Sequence, residues 1–344
     1  MEHIFAKLPA ALLPWYEKNK RDLPWRKDKE PYHVWLSEIM LQQTRVEAVR
    51  GYYARFLSAM PSIEALAKSD DDVLHKLWEG LGYYSRVRNL KKCAQAVMDR
   101  YGGRFPEEYE KVLALPGIGE YTAGEVCSIC FDQPTPAVDG NVLRVVSRLA
   151  RDVTPIDSPV YKTCVRKELA KVYPTQAGDF TQALMELGAT VCGPNRKPDC
   201  DNCPCKDFCK GAIEGDAERF PVKLPKKAKR EEDRTVFILS CDGYYALEKR
   251  PLKGLLAGLW QFPNCEGTLE TAEALQQVQS WGIHPRELQR QVERSHIFTH
   301  IRWNMRGIYM EVSECAGNFV WMTAEQVETE VALPTAFRQF WEER

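Results

Sequence analysis

Residues 107–131, EEYEKVLALPGIGEYTAGEVCSICF, read as helix, tight turn, helix. Two helical stretches, EEYEKVLAL and EYTAGEVCSICF, flank Leu115-Pro116-Gly117-Ile118-Gly119. The glycines at 117 and 119 permit a tight turn that a side chain would block. Backbone N–H groups of the turn and of the next helix's N-terminus are then free to hold an anion. A DNA phosphate suits that site; a plain connector between helices is the alternative reading.

Outward from this turn the first two-thirds of the chain carries helical periodicity. In HVWLSEIMLQQTRVEAV (33–49), Trp35, Ile39, Gln42, Val46 and Val49 fall at three- and four-residue steps, which predicts one helical face. DDVLHKLWEGLGYYSRVRNLKKCAQAVMDRYG (71–102) predicts two helices around a break at Gly80 and Gly82, and NVLRVVSRLARD and FTQALMELGATVC two more. Four thiols follow, Cys192, Cys200, Cys203 and Cys209, spaced C-x7-C-x2-C-x5-C. Such a cluster fits an iron–sulfur or a zinc site. PVKLPKKAKREED (221–233), with two prolines and a basic run, reads as an exposed linker. Beyond it the pattern turns to strands: TVFILSCDGYYALEKR predicts strand, Asp242-Gly243 turn, strand. GLWQFP, HIFTHIRWNMRGIYMEV and GNFVWM continue the β character, while TAEALQQVQSWG and TAEQVETEV read as helices.

The chain has 344 residues, 28% charged and 44% apolar, which suits two soluble globular domains. No apolar run approaches the roughly 20 residues that span a bilayer, and MEHIFAKLPAALLPWYEKNK lacks the pattern of a secretion signal. With four of twelve cysteines clustered, metal binding and reduced thiols are expected over disulfides. Net charge is −1, so affinity for nucleic acid cannot come from the total. Residues 1–220 balance 31 basic against 31 acidic side chains, 221–230 hold five basic and none acidic, and 231–344 hold 11 basic and 17 acidic.

The order LPWR, SEIMLQQT, GLGYYSRVRNL, LPGIGEYTAGEV, VDGNV and clustered cysteines resembles the adenine DNA glycosylases of the MutY type, within the endonuclease III superfamily. GLLAGLWQFP and HIFTH resemble that family's C-terminal Nudix-like domain. The likeness covers nearly the whole chain. It implies a multi-domain fold: an all-α helix–hairpin–helix glycosylase domain over 1–216, a basic linker over 217–231, and a smaller α+β Nudix-like lesion-recognition domain over 232–344. The first domain would comprise a six-helix module (about 25–132) and an iron–sulfur module (1–24 plus 133–216). The implied substrate is double-stranded DNA with adenine opposite 8-oxoguanine or guanine. The enzyme is expected as a monomer in the bacterial cytoplasm, with no membrane partner.

Excising a base requires the nucleotide to leave the stack, a proton for the departing purine, and negative charge near the cationic sugar. Glu38, mid-helix among Trp35, Leu36, Ile39 and Met40, fits the acid, because partial desolvation raises a carboxyl's pKa; a surface glutamate on an amphipathic helix is the plain reading. Asp139, just before a helix, fits an N-cap and equally a carboxylate kept ionised by the helix N-terminus. By the resemblance, Glu38 is the acid that protonates adenine N7, Asp139 the second catalytic carboxylate and Asn141 its polar neighbour. Relatives that also cut the strand carry a lysine just after the hairpin, which forms a Schiff base. Here that position is Tyr121, so a monofunctional enzyme is expected, with Tyr121 near the acid or simply structural.

The resemblance further assigns Trp25, Arg26 and Gln182 to the adenine pocket. It assigns Gln42 and Tyr83 to insertion into the duplex, Gly117 and Gly119 to the DNA backbone, and Phe298, Thr299 and His300 to 8-oxoguanine. Cys192, Cys200, Cys203 and Cys209 would hold a [4Fe–4S] cluster, although the family's first gap is six residues rather than seven and Cys205 adds a fifth thiol. Zinc is the alternative. In the C-terminal domain Gly267 and Glu273 match the start of a Nudix helix, but Trp281-Gly282 stand where acidic residues and arginine belong, so hydrolysis of nucleotides is not expected. Two further readings are an endonuclease III-like glycosylase/lyase and a non-catalytic iron–sulfur protein that binds DNA lesions.

Overall fold

The chain folds into two compact units, Met1–Lys68 with Arg88–Pro225, and Ser69–Val87 with Lys226–Arg344. The structure, a computed structural model, describes residues 2–194, 196–225 and 228–344. Lys226 and Lys227 of the expected linker, and Asn195 of the cysteine loop, lie outside the described residues.

Among the described residues every regular element of the first unit is helical. Its centre is the helix Glu120–Phe131, in which Thr122 to Ile129 are all buried. The helices Pro31–Leu41 and Ala177–Thr190 pack on it. Ala177–Thr190 also packs on Leu8–Asn19 and Gly140–Ala150. Leu8, Leu12 and Tyr16, spaced four residues apart, form a stripe that buries the helix Leu8–Asn19 among Val142, Val146, Leu169 and Leu184. Each leucine so buried contributes roughly 1.5–3 kcal/mol. Cys205 and Cys209 belong to the same core.

The single helical face expected over 33–49 is interrupted. The first helix ends at Leu41, Gln43 adopts left-handed backbone (φ 59°), and a new helix runs over Val46–Ala59. Trp35 and Ile39 are buried on the first, Val49 on the second. Between them Gln42-Gln43-Thr44 offers no apolar side chain to the core, and the Thr44 hydroxyl donates to the Gln42 carbonyl at 3.4 Å, competing with helix continuation.

The hairpin joins Tyr109–Leu113 to Glu120–Phe131. Gly117 has φ 74°, and a Cβ there would stand 2.6 Å from Asn89 Cβ, so both backbone and space demand glycine. Gly119 differs from the expectation. Its backbone is extended (φ −100°, ψ 175°), a conformation open to any residue, and an added Cβ would meet no atom within 4 Å.

The second unit is a seven-stranded mixed sheet with helices on both faces. Its strands are β1 (Arg230–Cys241), β2 (Tyr244–Lys249), β3 (Trp260–Gln261), β4 (Asn264–Glu266), β5 (Pro285–Ile297), β6 (Ile301–Val312) and β7 (Val320–Thr323). The order is β3-β2-β1-β6-β5, with β4 added to β1 and β7 to β2. β1 and β6 run parallel, and β5 and β6 form an antiparallel hairpin. Alternation along β1 divides the core. Val236 and Ile238 face the helices Ala324–Thr329 and Thr335–Trp341, while Phe237, Leu239 and Cys241 face Thr271–Ser280. The Asp242-Gly243 turn takes φ 48° and 84°, as that dipeptide favours. Glu273 accepts the Glu270 N–H at 2.8 Å, and so caps a helix.

Residues 69–87 join this unit through polar contacts. Asp72 pairs with Lys249 at 2.7 Å, Lys76 Nζ donates to the Val331 carbonyl at 2.9 Å, and Glu79 Oε1 accepts Leu333 N–H and an Arg338 N–H, both at 3.0 Å.

Candidate active site

Glu38 enters the site from the middle of Pro31–Leu41, where seven of its neighbours are also buried, and is itself only 8% exposed. The facing helix Glu120–Phe131 supplies Tyr121 and, one turn on, Glu125. Tyr121 Oη donates to Glu38 Oε2 at 3.2 Å and also reaches Glu125 Oε1. Burial raises the Glu38 carboxyl, opposed by hydrogen bonding to Glu125 and Tyr121; the Asp139 charge adds to the rise and Arg26 subtracts from it. Burial drives Glu125 well above the usual carboxylate range, and Glu38 pushes it further the same way.

Asp139 approaches from the N-terminus of Gly140–Ala150. Its Oδ1 accepts Val142 N–H at 2.8 Å, closing an N-cap, and its Oδ2 accepts the Asn141 amide at 2.6 Å. Cap bonds alone would hold the carboxyl low; burial outweighs them and raises it. Its charge acts on both Glu38 and Tyr121, so the two carboxyls named from the sequence share one site. Asn141 is oriented from behind: Arg144 donates to Asn141 Oδ1 and to the Gly188 carbonyl, both at 2.9 Å. Gly188 is needed there, since a Cβ would lie 2.9 Å from Asn141 Cβ.

Beside this centre Glu186, fully buried, binds two cations. Arg21 reaches it at 2.6 and 3.0 Å and Arg26 at 2.8 Å. Burial opposes its ionisation, but the two guanidinium groups prevail and hold it below the ordinary range. Trp25 is buried in the short turn Pro24–Arg26, edge-on to Tyr53 at 5.5 Å. Gln182 lies half-buried on Ala177–Thr190, its amide 3.4 Å from the Gly178 carbonyl. Gln42 is half-buried at the end of the Glu38 helix.

In the cysteine loop Arg148, on the Asp139 helix, donates to Cys192 Sγ at 3.2 Å and to the carbonyls of Cys192 and Gly193 at 3.1 and 3.0 Å. Arg144 reaches the same Cys192 carbonyl at 2.9 Å. Charges at Cys192, Cys203 and Cys209 act on Cys205, and those at Cys192 and Cys203 on Cys200 and Cys209, so the five sulfurs gather on one loop. All are free thiols. Among the described residues no three His, Cys, Asp or Glu side chains converge as ligands of a single metal ion.

In the second unit Tyr83 has left-handed backbone (φ 48°), is 47% exposed, and its hydroxyl lies 3.2 Å from Thr299 Oγ1. Phe298, Thr299 and His300 form the tip of the β5–β6 hairpin, closed by Phe298 N–H to the Ile301 carbonyl at 2.8 Å. The Phe298 ring is anchored edge-on to His296 and Trp303, whereas Thr299 and His300 are exposed.

Two acids of this geometry, Glu125 and Glu186, were not among the candidate site residues read from the sequence. Each lies on a largely buried helix, four residues from a residue that was singled out, Tyr121 and Gln182 respectively. That spacing is the signal that marks a shared helical face.

Fold and site together define a helix–hairpin–helix base-excision repair protein with an appended Nudix-type domain. A model of the HhH-GPD superfamily base excision DNA repair proteins matches residues 36–167, and a NUDIX domain model matches 234–343. Adenine DNA glycosylases of Rattus norvegicus and Homo sapiens are 35% and 34% identical over 97% and 96% of this chain, covering 78% and 72% of their own lengths. The chain belongs to the adenine DNA glycosylase family, enzymes that hydrolyse N-glycosyl bonds. The structure of a thermostable thymine-DNA glycosylase aligns with a TM-score of 0.55 at 26% identity, covering 62% of this chain and 98% of that one. Among the described residues no helix is long and apolar enough to cross a membrane.

Proposed function

We propose that this chain is a monofunctional glycosylase that removes adenine opposite 8-oxoguanine or guanine from duplex DNA, acting as a monomer. The observation that carries the reading is a buried Glu38 hydrogen-bonded to Tyr121 and within the field of Asp139. A carboxyl raised by burial keeps its proton to higher pH than a free one and can deliver it to purine N7. Asp139 is raised by burial, but its Val142 N–H and Asn141 donors favour the carboxylate, the negative charge that would steady the oxocarbenium ion. The residue after the hairpin is a phenol rather than an amine, so water is the final acceptor.

Other assignments follow the same reading. Trp25, Arg26 and Gln182 line the adenine pocket, and Glu186 holds Arg26 in place. The open space beside Gly119 lets a DNA phosphate approach the hairpin backbone. Gln42 and Tyr83 enter the duplex, where they offset part of an unstacking cost on the order of a few kcal/mol. Thr299 and His300, exposed on an anchored Phe298, read 8-oxoguanine. The cysteine loop suits a [4Fe–4S] cluster by its donors: free thiols gathered on one loop, with an arginine N–H aimed at sulfur. Cys192, Cys200, Cys203 and Cys209 would hold it. When bound it supplies a cross-link that fixes the loop against the Asp139 helix.

Adenine release from an A:8-oxoguanine duplex, wild type beside Glu38→Gln, tests the reading. The expected result is a loss of about 10²-fold or more with duplex binding retained. Equal activity in both proteins would overturn the acid assignment.

A further inference from the structure

Glu125 is the acid of the pocket that the proposed reaction leaves unused. It is fully buried, within a helix whose residues 122–129 are all buried. Tyr121 Oη stands between Glu38 Oε2 and Glu125 Oε1. A phenol has one hydrogen, so it can donate to only one of these oxygens. The other contact requires a hydrogen on a carboxyl. That hydrogen sits on Glu38 Oε2 or Glu125 Oε1, the two oxygens that face the phenol, while Glu125 Oε2 is buried without a hydrogen-bond partner, a position that disfavours the charged carboxylate. The groups that act on Glu125 most strongly are Tyr121 on its own helix, Glu38 on Pro31–Leu41, and Asp139 ahead of Gly140–Ala150. Its charge is felt in turn by Tyr173. All four are acids or phenols. Two carboxyls held this way cannot both ionise, and they titrate as a pair.

We propose that Glu125 is a positioning residue that shares one proton with Glu38 beside Tyr121, so that Glu38 meets the flipped purine in its acid form. The inference rests on the reading of Glu38 as the general acid. In the reaction the shared proton passes from Glu38 to the purine nitrogen. The C1′–N9 bond breaks and its electron pair leaves with the base. Water then adds its oxygen to C1′, and its proton returns to the carboxyl pair. The net change is hydrolysis, with the pair restored.

The test is single-turnover adenine release from an A:8-oxoguanine duplex across the pH range, for wild type, Glu125→Gln and Glu38→Gln. Glutamine keeps the shape, cannot hold the shared proton, and its amide donor favours the ionised Glu38. The alkaline fall-off of Glu125→Gln should therefore move to lower pH. The rate should stay within about threefold of wild type near pH 6 and fall up to about tenfold near pH 8.5, the limit set by a shift of about one unit. A uniform loss with the pH profile unmoved would mean a structural role only and would overturn the proposal. Infrared difference spectra provide a second readout on the same proteins at about pH 8. A protonated-carboxyl band in wild type that is missing in Glu125→Gln is expected, and identical bands would count against the pair. If Glu38→Gln remains fully active, the acid reading itself fails. If Glu38→Gln is inactive and the Glu125→Gln profile is unshifted, only the role of Glu125 fails.

Discussion

Glu186 shows how one side chain ties the pocket to stability. Its folded-state pKa is depressed, so its contribution is present above the ordinary carboxylate range and is lost as pH falls through the folded value. Glu186→Gln leaves Arg21 and Arg26 facing a neutral amide. Breaking a buried pair costs about 3–5 kcal/mol; with Arg21 a third exposed, about 2–3 kcal/mol is the expectation here. Thermal melts at neutral and acid pH check this: the variant should melt lower near neutrality, and the gap should narrow as the solution is acidified. An unchanged gap down to about pH 3 would remove the pair from the account. Glu38 and Asp139 were legible in the sequence through the family resemblance, since position alone left Glu38 a surface glutamate on an amphipathic helix and Asp139 an N-cap. Glu125 was not, since its spacing from Tyr121 marks only a shared helical face, and the packing of Pro31–Leu41 against Glu120–Phe131 is what brings it to Glu38.

The hairpin separates two uses of glycine within one element. Gly117→Ala forces a positive φ on alanine and drives Cβ against Asn89, and about 1–3 kcal/mol of destabilisation is expected in chemical denaturation. Gly119→Ala meets neither obstacle, so its stability should stay within about 0.5 kcal/mol of wild type. If a phosphate lies against that backbone, its methyl should nonetheless weaken duplex binding, measured by fluorescence anisotropy. Unaltered binding would place the phosphate elsewhere. Elements with strong apolar periods, such as Gly140–Ala150, Ala177–Thr190, β1 and β6, were legible from sequence. Residues 285–295 of β5 were not read as a strand. PRELQRQVERSHI is an edge strand with mostly exposed, charged side chains, and its place comes from pairing with β6 rather than from burial. The helix Thr335–Trp341 was also passed over, although Phe337, Phe340 and Trp341 are fully buried against the sheet.

At the scale of the molecule, the helix Gly140–Ala150 carries Asp139 at its start and grips the Cys192 carbonyl with Arg144 and Arg148 farther along. If Cys192, Cys200, Cys203 and Cys209 hold the proposed cluster, substituting one of them should therefore be felt at the carboxylate end. Cys200→Ser is expected to lose the visible absorbance of the cluster and to slow adenine release, while Cys205→Ser keeps the absorbance. Loss of colour in both would enlarge the ligand set. The placement of 69–87 reaches further still. A gene cut at the proline- and lysine-rich stretch near 221–230 does not part the protein into two finished pieces. The upstream piece would keep Asp72, Lys76 and Glu79 but forfeit Lys249, Val331, Leu333 and Arg338, their partners at the far end of the chain. What looks like a tether in the sequence is thus a poor place for scissors, because an internal segment of one half was built as a graft onto the other.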